Sequence, residues 1–140
     1  MAISTDVGTA SKPRRAGGEV TYDRWMESQG VPIHRGYYVE DLRTAEVSLW
    51  KARGYNAAFI QLEGMPAMCE GRITEIPPGG ELPAMKFGFD ELVYVLQGEG
   101  ATSVWSTGSS TPRNFEWHPH SLFCIPRHHK HQIFNGRGDT

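Results

Sequence analysis

The tightest constraint on this chain is its punctuation. Over residues 79–98 and 120–135, glycine, proline and chemistry-bearing residues recur at set distances, with short β-prone runs between them. The first block reads Gly79, five residues, Met85-Lys86-Phe87, three residues, Glu91, six residues, Gly98. The second reads His120, five residues, Pro126, one residue, His128, two residues, His131, three residues, Asn135. Glycine and proline end strands and set turn types, so blocks of this kind force a fold of many short strands.

The flanking sequence agrees. Extended runs are predicted at 36–39, 47–50, 57–62, 68–76, 91–97, 101–105, 115–118, 121–125 and 131–134. Residues 91–97 and 101–105 read as a hairpin about Gly98-Glu99-Gly100, and 107–113 as a polar hairpin tip. Pro77-Pro78-Gly79-Gly80 is a turn. Residues 21–30 read as a short helix capped by Thr21 or Asp23, stopped by Gly30 and packed through Trp25 and Met26. Residues 1–20, with Lys12, Arg14 and Arg15 among small polar residues, read as a flexible arm.

Composition narrows the function classes. The chain has 140 residues, 39% hydrophobic and 21% charged, with a formal net charge of −2. That suits one domain with a modest core and supplies no field for nucleic acid or a membrane surface. No apolar run approaches the roughly 20 residues of a spanning helix, and no signal peptide is legible. Cys69 and Cys124 lie far apart and read as reduced, buried thiols, which points to the cytoplasm. His34 reads as a surface residue.

Taken together, the two blocks resemble the two motifs of the cupin superfamily over about residues 57–135. That family has Gly, His-x-His, Glu and Gly in its first motif, then Gly, Pro-x-Gly, His and Asn in its second. Glu91, Gly98, Pro126, His131 and Asn135 match by position, whereas Met85 and Phe87 replace the His-x-His pair. The resemblance implies an all-β double-stranded β-helix, a cupin-type jelly-roll barrel over 21–140, preceded by the flexible arm and the short helical turn. Because 140 lies five residues past Asn135, the barrel is expected to be incomplete at the C-terminus. It would then be completed by a second chain or a homodimer, or be the N-terminal half of a two-cupin protein.

The resemblance also implies a divalent transition metal, Fe, Mn, Ni or Zn, held inside the barrel by three His and one Glu. Only Glu91 and His131 remain at the matching positions. His129 forms a His-x-His with His131 and is the candidate third ligand, giving two imidazoles and a carboxylate. An inward Glu91 needs a cation to answer it, Lys86 or His131. With His131 it makes an acid–base pair that works without metal. Met85, Phe87, Phe89 and Tyr94 fill the place of the lost ligands, and with Trp105, Phe123 and Phe134 they are expected to line a barrel pocket.

Two function classes follow. One is a cupin enzyme, a dioxygenase-like oxidoreductase or a lyase or isomerase, acting on a small organic acid or aromatic compound. Its catalytic residues would be Glu91 and His131. The other is a non-catalytic cupin that binds a small ligand, or a structural half whose active site lies in a partner. The fold alone does not choose between them.

Overall fold

In a computed structural model, residues 21–65 and 69–136 are described; the arm expected at 1–20 lies outside them. They form one short helix and nine short strands, an all-β fold. The chain divides into two compact units, one ending at Glu75 and the other starting at Ile76.

The first unit is built on its longest strand. Helix α1 spans Thr21–Ser28, followed by β1 (Ile33–Gly36), β2 (Ser48–Trp50), β3 (Tyr55–Leu62) and β4 (Gly71–Glu75). β3 takes β4 antiparallel along one edge. On its other edge it pairs with β1, parallel from Ile33↔Phe59, and with β2, antiparallel from Ser48↔Ala57. Both its edges are therefore paired, and Tyr55, Ala57, Ala58 and Phe59 are all buried. Phe59 packs edge-on against Trp50 (5.3 Å), and Trp25 of α1 reaches both rings. Each fully buried aromatic of this kind is worth roughly 1.5–3 kcal/mol of transfer free energy.

Beneath α1 runs a polar chain. The Gln61 amide donates to the buried Asp23 carboxylate at 3.1 Å and accepts from Arg35. Asp23 is thus a buried anchor of the helix. Gly30, with φ +73°, ends the helical region as its sequence implies.

The second unit contains β5 (Glu91–Tyr94), β6 (Gly100–Trp105), β7 (Arg113–Trp117), β8 (Leu122–Ile125) and β9 (Lys130–Asn135). β5 pairs with β8, and β6 lies between β7 and β9, all antiparallel. Segment 80–87 runs along the free edge of β9. Met85 and His131 exchange backbone bonds of 2.8 and 2.9 Å, and Leu82 N donates to the Ile133 carbonyl. Pro83 has no amide to give, which leaves this edge as bridges in place of a full strand.

Several expectations are corrected. β5 and β6 are not a hairpin: at Gly98, with φ +86°, the chain leaves the β5–β8 sheet and enters the β6 sheet. The strand expected at 36–39 is instead β1, and Tyr37 is almost fully exposed. β4 starts at Gly71, and Met68 of the expected strand lies outside the described residues. His34 is buried, with Nε2 2.8 Å from the Glu46 carbonyl. Both cysteines are free and exposed, because Cys124 alternates to the outer face of β8 while Phe123 and Ile125 turn inward.

One close approach locks the second unit. A Cβ on Gly100 would overlap the Phe134 carbonyl oxygen and the Trp117 ring. The Trp117 indole meanwhile donates to Thr102, both buried, at 3.0 Å. Gly100→Ala is therefore expected to cost about 2–4 kcal/mol, since backbone and a packed indole must both shift. Urea denaturation checks this; Gly108→Ala, in open space, is the control for φ strain alone.

Candidate functional site

The alternation of β9 creates the site. His131 turns inward and is buried to 1% exposure, while its neighbours Lys130 and Gln132 are more open. Glu91 opens β5 on the inward face with Val93, whereas Leu92 and Tyr94 face out. This brings Glu91 Oε2 to 3.6 Å from His131 Nε2. His131 is thus the cation-capable neighbour of Glu91.

The protonation pattern follows from the partners. His131 Nδ1 lies 3.3 Å from the His129 carbonyl, which only accepts, so Nδ1 carries a proton in this contact. Nε2 is buried and has no hydrogen-bond partner. An orphaned buried polar atom costs about 1–3 kcal/mol, so the site holds an unmet demand for hydrogen bonding. At 3.6 Å from the carboxylate, Nε2 is too far for a good direct bond. One oxygen or nitrogen seated about 2.8 Å from Nε2 satisfies it and lies within reach of Glu91 Oε2 as well.

Aromatics border the pair. The Phe87 ring lies 5.6 Å from the His131 ring and stacks on Phe89 at 4.8 Å and 9°. Phe87 and Met85 are half-buried, and Phe89 is half-exposed. Phe123 and Phe134 are half-buried, and Phe123 makes an edge contact with Phe115 at 5.0 Å. Tyr94 alternates away from Glu91, and its hydroxyl lies 2.7 Å from His120 Nδ1. Trp105 ends β6, where it lines a separate cleft with Lys86 and Lys130.

The donor set was tested against a metal. His129 lies in the turn before β9, with its Nδ1 3.0 Å from the Arg127 carbonyl. Among the described residues, no three His, Cys, Asp or Glu side chains gather as ligands. One imidazole nitrogen and one carboxylate beside Phe87 do not fit a tightly held first-row ion, which takes three or four donors.

The turn carrying His128 and His129 is fastened from β5. Asp90 grips Arg127 by two side-chain bonds (2.8 and 3.4 Å) and accepts from its backbone amide at 2.9 Å. These bonds to Arg127 hold the Asp90 carboxyl down to about 2. Asn135 Nδ2 donates to the Ile76 and Pro77 carbonyls, pinning the turn at 77–80.

Comparison with known proteins agrees on the architecture. The structure is similar to Drosophila melanogaster CENP-C bound to CAL1 (TM-score 0.58, 14% identity, 83% of this chain and 84% of that one). It is likewise similar to the Drosophila melanogaster CENP-C cupin domain (0.56, 15%, 83% and 84%). A third similar structure is a formate complex of Lactobacillus farciminis oxalate decarboxylase (0.55, 22%, 69% of this chain and 29% of that one). The fold is of the cupin type. The jelly-roll expectation drawn from the two motif blocks is thereby borne out as a fold. No family model and no curated protein matches the chain. At these identities the likeness concerns the cupin fold alone, and this chain spans less than a third of the decarboxylase's length. No helix among the described residues is long and apolar enough to cross a membrane.

The cupin site reading yields two expected outcomes. His131→Leu, which removes the orphaned nitrogen but keeps volume, is expected to leave stability within about 1 kcal/mol of wild type or to raise it, whereas His131→Ala is expected to cost about 2–4 kcal/mol. Urea midpoints compare the two. For Asp90, the folded value of about 2 lies below the unfolded value near 3.9. Its contribution is therefore complete above about pH 4 and is lost as pH falls through about 2. NMR titration of the Asp90 carboxyl should show the low midpoint, and Asp90→Asn should abolish the pH dependence of the Arg127–His128 amide shifts in that window.

Proposed function

We propose that this cupin-fold chain binds a small organic acid or aromatic compound at Glu91 and His131 and moves a proton on it without metal. The observation that carries this reading is the buried His131 Nε2, without a hydrogen-bond partner and 3.6 Å from Glu91 Oε2. A ligand hydroxyl, enol or carboxylic acid placed between them meets both atoms at once. One group then takes the proton while the other supplies or stabilises it, the division of labour of general acid–base catalysis in a lyase or isomerase. The stacked Phe87–Phe89 pair supports a flat or apolar ligand body beside the polar end.

Ligand-detected and protein-detected NMR with benzoate, pyruvate and succinate tests it. The expected result is saturable binding that shifts the His131 ring protons and is lost in His131→Leu and Glu91→Gln. Absence of saturable shifts at His131 with all three probes would overturn the reading.

A second reading has its own support. Leu92, Tyr94, Leu122 and Cys124 are exposed on one face of the β5–β8 pair, with Leu92 72% open. One structural neighbour is CENP-C bound to a partner protein. On this reading the chain is a non-catalytic cupin that docks a second copy of itself or another chain. Sedimentation of wild type against Leu92→Lys with Leu122→Lys separates the self-association case from a monomer.

A further inference from the structure

The reverse face of β9 borders a second cleft. A cleft of about 300 Å3 opens between the 106–110 loop and the ends of segment 80–87 and β9. Two lysines and a histidine line it, Lys86, Lys130 and His128. No carboxylate lines it among the described residues, and neither lysine has a carboxylate partner among them. Asp90, the acid whose carboxylate feels the charge of His128, is already engaged three times by Arg127. Like charges gathered on one concavity without acids raise the local positive potential, against a chain whose net charge is −2.

The remaining walls favour one kind of anion. The loop contributes the hydroxyls of Ser106, Thr107 and Ser110, none of which makes a side-chain hydrogen bond within the described chain. Ser109 is spent internally on Thr111, which stiffens the loop. Trp105 forms an apolar wall, with Lys130 Nζ 4.8 Å from its ring centre. Ammonium groups without carboxylate partners beside open hydroxyls suit the several oxygens of a phosphate, whereas the planar fork that best grips a carboxylate, Arg127, is taken. The backbone also aims His128 here. Its φ of +64° is held by a 2.7 Å bond from its amide to the Phe87 carbonyl. Left-handed geometry at a non-glycine residue is strain that clusters at ligand sites.

We propose that this cleft binds a small phosphorylated ligand through Lys86, His128 and Lys130, with the 106–110 loop supplying hydroxyl donors. The cleft's volume sits at the low end of ligand pockets, which matches a phosphorylated molecule of sugar or glycerol size. This site is independent of the Glu91–His131 reading: Lys130 and His131 are adjacent on β9 and point to opposite faces.

The test is titration of the 140-residue chain, followed by amide NMR, with inorganic phosphate, glycerol 3-phosphate and glucose 6-phosphate. Succinate serves as the carboxylate arm. The expected result is saturable shifts at Ser106–Ser110, His128 and Lys130 with a phosphorylated probe tighter than succinate. Affinity should fall about tenfold in Lys86→Gln and again in Lys130→Gln, the size of one charge-assisted hydrogen bond each. Binding should persist in His131→Leu, which separates this site from the acid–base pair. Each of these results overturns the proposal: succinate shifting Ser106–Ser110 as tightly as the phosphorylated probes do, equal affinity in well-dispersed Lys→Gln variants, or shifts that never saturate. Inorganic phosphate binding alone, without either ester, would sink the organic-ligand part and so the proposal.

Discussion

Strand β9 is held on both edges, by β6 on one side and by segment 80–87 on the other, and everything chemical in the second unit depends on that double pairing. Two paired edges hold the register, because a slip of one residue would break the bonds to both neighbours at once. The consequence is a strict division of side chains. His131 is driven into the interior and Lys130 out of it. The Met85–His131 bridge does the same for segment 80–87, where Lys86 sits outward between Met85 and Phe87. One strand thus turns His131 toward Glu91 on one face and Lys130 toward a basic cleft on the other.

The interior has an unusual balance of polarity. A fold that carries aromatics at positions where the family resemblance implies imidazoles still keeps one buried imidazole and one half-buried carboxylate. Selection for packing alone disfavours such a pair, because an unmet buried nitrogen costs free energy that a leucine would not. Its retention, 3.6 Å from Glu91 and under the Phe87–Phe89 stack, is the physical reason to read the place as a ligand site. Among its described residues the first unit shows no comparable tension: Asp23, Gln61, Arg35 and the Trp50 indole all have partners, and its aromatic cluster is ordinary core.

Much of this was legible in the chain. Gly79, Gly98 and Gly30 all take the positive φ that their turn positions imply. The spacing from Glu91 to Gly98 and from Pro126 to Asn135 pointed to the fold, because those distances are set by strand length and turn geometry. The Glu91–His131 neighbourhood was implied by the resemblance to the cupin motifs. What escaped was pairing between distant strands. Nothing local distinguishes a β5–β6 hairpin from a β5–β8 sheet, since both leave the same alternation in β5. The burial of His34 and exposure of Cys124 likewise depend on which face a neighbouring strand covers. The cleft had a faint signal, since Lys86 and Lys130 each sit beside a motif position and must face away from it.

The amino-acid order by itself determined the all-β class and the turn positions, through local stereochemistry and period-two alternation, which act within a few residues; Glu91 and His131 were singled out by the resemblance to the cupin motifs. The tertiary structure alone decided which strands share an edge. It thereby decided that His131 is orphaned, that three basic side chains share a cleft, and that Leu92, Tyr94 and Leu122 lie together on an open face. Those outcomes come from hydrogen bonds between residues 30 or more positions apart, as in Glu91↔Ile125 and Met85↔His131. Such pairings are chosen by the burial of the whole unit and leave no mark on the residues next to them.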